Sequence, residues 1–243
     1  MGRIFACTDL HGRKDLLDKI MDFLEADDKV YFLGDAADRG PDGWEMIKTI
    51  LNDERFVYIM GNHEDMLIKA AKRWFKWHAM GNDYNLLRAN GGAKTFADMS
   101  QDPEAEEIIR KLEQLPTYAA YFSNALGYNI FLAHAGFTPW ADDEDGLPIV
   151  PDDKDLIWDR SHYMDDFKEE ELYLNSIVVH GHTPIPYIMD DLRLPNPGDL
   201  IDAGPLWYAN RHKVCLDCAA FATGATFLLN LDTFECVTIR DEN

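Results

Sequence analysis

The chain has 243 residues, 47% of them apolar, which is enough for one sizeable core and argues against wholesale disorder. Its formal charge of −21, from 44 acidic and 23 basic residues, disfavours nucleic-acid backbones and anionic membranes as partners, because both reward a basic surface. No apolar run approaches the roughly 20 residues that span a bilayer.

The N-terminal "MGRIFACTDLHG" enters a strand-like pattern at once, without signal-peptide organisation. Cys7, Cys215, Cys218 and Cys236 sit in apolar runs and read as small core residues with reduced thiols, so a cytoplasmic protein is expected. In chain order, "RIFACTD" is a β-type run ending at Asp9, "KVYFLGD" one ending at Asp35, and "FVYIMGN" one ending at Asn62. Between them "KDLLDKIMDFLEA" and "GWEMIKTILND" have helical spacing. This is the rhythm of βαβ units, whose right-handed crossovers make the strands parallel and bring their C-terminal ends to one edge. Residues 64 to 78 predict a helix with Leu67, Ala70, Ala71 and Trp74 on one face. "PEAEEIIRKLEQLP" predicts another, and "IFLAH" a strand ending at His134. After residue 175 the pattern turns to strands, "SIVVHGH", "HKVCLDC", "ATFLLNL" and "ECVTIR", which together suggest a second sheet. With no linker or repeat, residues 1–243 are expected to form a single domain.

Polar residues far apart in sequence therefore converge at strand ends: Asp9 and His11, Asp35, Asn62 and His63, His134, and His180 and His182. Five of the eight histidines fall here. Mixed carboxylate, imidazole and amide-oxygen donors suit Mn, Fe or Zn, and the lack of thiolate argues against a structural zinc site. Six candidate ligands exceed the needs of one catalytic ion and fit two that share a bridging group. A carboxylate can bridge, which makes Asp35 the bridging candidate.

In order and spacing, "DLHG", "GDAADRG", "GNHE", "LAHAG" and "VVHGHTP" resemble the signature of the metal-dependent phosphoprotein phosphatases, within the calcineurin-like metallophosphoesterase superfamily. The departure is Thr8, where the family usually has Gly before the Asp. The resemblance implies a four-layer α/β/β/α sandwich, two mixed sheets flanked by helices. It also implies a dinuclear-metal phosphomonoester hydrolase in which a metal-bound hydroxide attacks phosphorus in line. Residue by residue, it implies that Asp9, His11 and Asp35 bind one ion and that Asp35, Asn62, His134 and His182 bind the other. Mn is the expected metal, with Fe or Zn as alternatives. His63 would be the general acid, oriented by Asp38. Arg39, together with Arg160 in "LIWDRSHY" and Asn62, would bind the phosphate. His180 has no ligand role in this resemblance and reads either as a support behind the ligands or as structural.

"LRANGGAKTF" resembles the small bacterial and phage Ser/Thr protein phosphatases, so a phosphorylated protein or small phosphoester is the expected substrate, with dual specificity open. The alternatives are a symmetrical bis(5'-nucleosyl) tetraphosphate hydrolase, a phosphodiesterase, or a metal-binding scaffold for phosphoproteins without turnover.

Overall fold

The computed structural model describes residues 2–137, 151–164 and 176–241; the acidic runs "ADDEDG" and "DDFKEEE" lie outside the described residues. Strand β1 (Ile4–Cys7) leads to helix α1 (Lys14–Phe23), β2 (Lys29–Phe32) to α2 (Gly43–Asn52), and β3 (Phe56–Tyr58) to α3 (Asn62–Trp77). The pattern of apolar residues dictates this unit. Leu16, Leu17 and Ile20 of α1, and Trp44, Met46, Ile47 and Ile50 of α2, recur at helical spacing and are buried. The strands bury both faces, as parallel strands covered on both sides must. Helices α4 (Asn82–Ala89), α5 (Ala93–Gln101) and α6 (Ala105–Leu112) extend the helical layer outside these strands.

The second half begins with the hairpin β4 (Tyr118–Ser123) and β5 (Tyr128–Ala133), followed by α7 (Asp153–Trp158) and β6 (Ser176–His180). Then come α8 (Ile185–Asp191), α9 (Leu200–Ala203), β7 (Leu206–Tyr208) and β8 (Lys213–Cys215). Helix α10 (Ala220–Thr223), β9 (Ala225–Asn230) and β10 (Cys236–Arg240) close the described chain.

Two mixed five-stranded sheets result, ordered β10-β9-β1-β2-β3 and β4-β5-β6-β8-β7. Strands β1, β2 and β3 are parallel, as are β5, β6 and β8. An apolar layer from both sheets, including Ala6, Leu33, Ile59, Leu132, Val179, Val214 and Leu229, is buried between them. A second core, including Phe5, Val30, Phe32, Leu67 and Phe96, lies between the first sheet and its helices. The architecture is thus the α/β/β/α sandwich expected from the sequence.

The assignment of the last strands needs correction. Strands β6 and β8 do build the second sheet, but "ATFLLNL" and "ECVTIR" return to the first, where β9 runs antiparallel to β1. Both sheets need the same apolar strands, so composition cannot say which one a late strand joins; long-range pairing decides it. Among the described residues, no helix is long and apolar enough to cross a membrane.

Candidate metal centre and phosphate site

The loops leaving β1 and β2 are stitched together before any side chain acts. Backbone N–H groups of Asp9, His11 and Gly12 donate to the carbonyls of Gly34, Asp35 and Ala36 at 3.1, 2.9 and 2.7 Å, and Gly40 N donates back to His11 O at 3.0 Å. The two loops touch so closely that a Cβ at Gly40 would sit 2.5 Å from His11 O. Only glycine permits that approach. Asp9, His11, Asp35, Asp38, Arg39 and His182 all hold left-handed backbone, with φ between 46° and 71°. Non-glycine residues adopt that region at a cost, and such strain concentrates at functional sites.

The six expected metal ligands come together, all buried. The two oxygens of Asp35 face different partners. Oδ2 lies 3.6 Å from His11 Nε2 and 3.7 Å from His63 Nε2, while Oδ1 lies 3.4 Å from His134 Nε2. His11 Nε2 is also 3.8 Å from Asp9 Oδ1. On the other side, Asn62 Oδ1 sits 2.9 Å from His134 Nε2 and 3.0 Å from His182 Nδ1. Each ring is held by its other nitrogen or by its neighbours: His11 Nδ1 pairs with Ala37 O at 3.0 Å and His134 Nδ1 with Leu33 O at 2.7 Å. Two groups able to hold an ion emerge, His11–Asp35–His63 and Asp35–His134–His182, and Asp35 belongs to both. His63, expected only as an acid, thus stands in the first of these groups with His11 and Asp35, while Asp9 faces it through His11.

Burial and crowding shift the charge state of these groups. Burial, then the charges of Asp9 and Glu64, push the Asp35 carboxyl well above its usual range. Burial drives His11 and His182 well below theirs, so these rings stay neutral and do not offset the carboxylates. Uncompensated buried carboxylates are costly unless paired or bound to metal. The donor set of carboxylate, imidazole and amide oxygen suits a divalent ion of the Mn, Fe or Zn type.

Beside this centre, His63 Nδ1 and Asp38 Oδ2 are 2.7 Å apart. Burial, and next Arg39, bring His63 down to about 3, while burial pushes Asp38 up to about 7. Arg39 and Arg160 are exposed. Their positive charges both depress His63. Neither guanidinium makes a hydrogen bond or ion pair among the described residues, although the chain carries 44 acidic side chains. His180 Nε2 accepts from Tyr208 O–H at 2.7 Å, and its Nδ1 lies 3.0 Å from Gly181 O.

Residues without an expected role also matter. Glu64, the last letter of "GNHE", is fully buried. It accepts from Asp35 N at 2.8 Å, Ala36 N at 3.0 Å, Gly61 N at 3.1 Å and Tyr58 O–H at 2.9 Å, locking the β2 loop onto the start of α3. Its three-residue spacing from Gly61 was the available signal, that of a capping box. Thr8 Oγ1 donates to Asp9 Oδ2 at 2.5 Å. Thr95 Oγ1 accepts from Asp38 N at 3.2 Å. Gly91 and Gly92 pack against the backbone of Arg39 and the carboxylate of Asp38, so this stretch has a structural reason independent of any substrate. The aromatic run after residue 72 packs inward through Trp74 and Tyr84 onto Phe96, at 6.0 and 4.8 Å between ring centres. Trp207 meets Phe234 edge-on, with ring centres 5.2 Å apart.

The profile of the calcineurin-like phosphoesterase family matches residues 2–204. A symmetrical bis(5'-nucleosyl)-tetraphosphatase of Delftia acidovorans is 23% identical over 58% of this chain and 47% of its own. The asymmetrical bis(5'-nucleosyl)-tetraphosphatase of Oceanobacillus iheyensis is 26% identical over 65% of this chain and 63% of its own. The match therefore spans about half to two thirds of these relatives. Among solved structures, a putative diadenosine tetraphosphatase superposes with a TM-score of 0.61 at 15% identity, covering 100% of this chain and 95% of that one. A protein serine/threonine phosphatase of Saccharomyces cerevisiae does so with a TM-score of 0.58 at 14%, covering 100% and 81%. Identities this low speak for the fold alone. With its sandwich, its converging carboxylates, imidazoles and amide, and a family profile spanning most of its length, the chain belongs to the calcineurin-like phosphoesterases.

Proposed function

We propose that the protein hydrolyses dinucleoside polyphosphates at a two-metal centre. The observation that carries the substrate class is that its curated relatives are bis(5'-nucleosyl)-tetraphosphatases of both the symmetrical and asymmetrical kind. The likeness to protein phosphatases is one of fold. The stretch at Gly91 and Gly92 that suggested a phosphoprotein substrate is accounted for by its packing on Asp38 and Arg39.

Asp9, His11 and Asp35 would hold one ion, and Asp35, Asn62, His134 and His182 the other, with Mn the expected metal. When bound, two such ions supply Lewis acidity toward phosphoryl oxygens and a water activated at neutral pH. The chain's own residues do the rest. Arg39 and Arg160, exposed and without carboxylate partners among the described residues, bind phosphoryl oxygens with the forked geometry that suits them. Asp38 fixes the His63 ring through Nδ1, which turns Nε2 inward, where a proton can pass to the leaving oxygen.

A substrate panel tests the reading. Mn²⁺-loaded protein is offered diadenosine tetraphosphate, a phosphoserine peptide, p-nitrophenyl phosphate and its bis-ester. The expected result is a kcat/KM for the tetraphosphate far above that for the peptide. ADP as sole product marks symmetrical cleavage, and ATP with AMP marks asymmetrical cleavage. Faster turnover of the peptide would return the protein to the phosphoprotein phosphatases.

A further inference from the structure

Arg160 lies in a short turn after α7, and nothing holds its guanidinium among the described residues. A long exposed side chain of this kind has many rotamers. Among the described residues, it is the backbone beneath it that can aim it at the site. That backbone is tied down at both ends. Trp158 Nε1 donates to Asp65 Oδ2 at 3.1 Å, two residues before Arg160. Two residues after it, the carbonyl of His162 accepts from Lys213 Nζ at 2.7 Å.

Lys213 is the unusual partner. It is 1% exposed, at the start of β8, in register with Val178 of the central strand β6. Its Nζ also lies 3.4 Å from His162 Nδ1 and 6.0 Å from the centre of the Tyr208 ring. Lysine is almost never fully buried, and an ammonium there is costly unless its donors are matched. An apolar residue of the same length would fill the space between the sheet and this turn. What it would not supply is a charge-assisted bond to a main-chain carbonyl, which fixes backbone position whatever the side chain at 162 does.

We propose that Lys213 is a positioning residue for phosphate binding: through the carbonyl of His162 it anchors the turn that aims Arg160 at the metal centre. The inference rests on reading Arg160 as a phosphate-binding residue, and does not depend on which phosphoester is the substrate.

The test is a double-mutant cycle read by binding. Calorimetry measures the Kd of inorganic phosphate for the Mn²⁺-loaded wild type, Arg160→Ala, Lys213→Met and the double variant, with Mn²⁺ stoichiometry checked for each. Arg160→Ala is expected to weaken phosphate about tenfold, as for loss of a charge-assisted pair at a partly solvated site. Lys213→Met should approach that loss, and the double variant should bind no more weakly than Arg160→Ala alone. Should Lys213→Met fail to fold, Lys213→Gln runs the same cycle with a neutral side chain too short to keep the full contact. Additive losses, or full phosphate affinity in the folded Lys213 variant, would overturn the proposal. Wild-type affinity in Arg160→Ala would instead overturn the phosphate role of Arg160, and the positioning role with it.

Discussion

At Asp35 the two carboxylate oxygens point to different sets of imidazoles, and this division underlies the two-ion reading. Its neighbour across the loops, Asp9, has divided its oxygens too. Oδ1 faces His11, while Oδ2 accepts from Thr8 Oγ1 and from His182 N at 3.0 Å. Thr8 is the departure from the first motif, and its hydroxyl holds the Asp9 carboxylate so that one oxygen is left for an ion. Groups that orient metal ligands in this way matter nearly as much as the ligands themselves. Thr8→Val keeps the shape and removes the donor, so calorimetric titration with Mn²⁺ should show one site weakened about tenfold. Unchanged affinity would mean that Thr8 only fills space.

On the level of elements, the site is a set of loop exits from β1, β2, β3, β5 and β6, with α5 behind them. The exits were legible in the sequence because each follows a short apolar run and ends in Asp, Asn or His. The candidate ligands stand where the parallel strands of the two sheets end. What supports them was not legible. Glu64 reaches back 29 residues to Asp35 N, Thr95 reaches 57 to Asp38, and Lys213 reaches 51 to His162. Nothing local marks Thr95 or Lys213, and the spacing of Glu64 from Gly61 marks only its place at the helix start; each of these long-range contacts exists only once the layers have packed. The return of β9 and β10 to the first sheet was hidden for the same reason.

The turn between α4 and α5 offers a test of this outer support. A Cβ on Gly92 would lie 2.4 Å from Leu87 Cδ1 and 2.8 Å from Asp38 Oδ1. Leu87 is fully buried and cannot swing away freely. Gly92→Ala should therefore displace Asp38 and, with it, His63. Steady-state kinetics should show kcat reduced about tenfold or more, the scale of a misplaced proton donor, with Mn²⁺ binding intact. A variant with wild-type kcat would show that Asp38 does not set the ring of His63.

Across the whole molecule, two sheets bury a common apolar layer, and the chain as a whole is acidic. A net charge of −21 repels a polyphosphate at long range. On the proposed function, attraction would have to come locally, from the two arginines and from bound cations. Burial, and next the charge of Asp9, push the carboxyls of Asp35 and Asp217 well above their usual range. A cation bound between these carboxyls would offset that crowding.

Electron paramagnetic resonance of the Mn²⁺-loaded protein, with metal counted per chain, tests the shared carboxylate directly. Two Mn²⁺ per chain with an exchange-coupled spectrum is the expected result, reduced to isolated six-line signals or a single ion in Asp35→Asn. One Mn²⁺ per wild-type chain, or two that remain uncoupled, would contradict a centre bridged by Asp35.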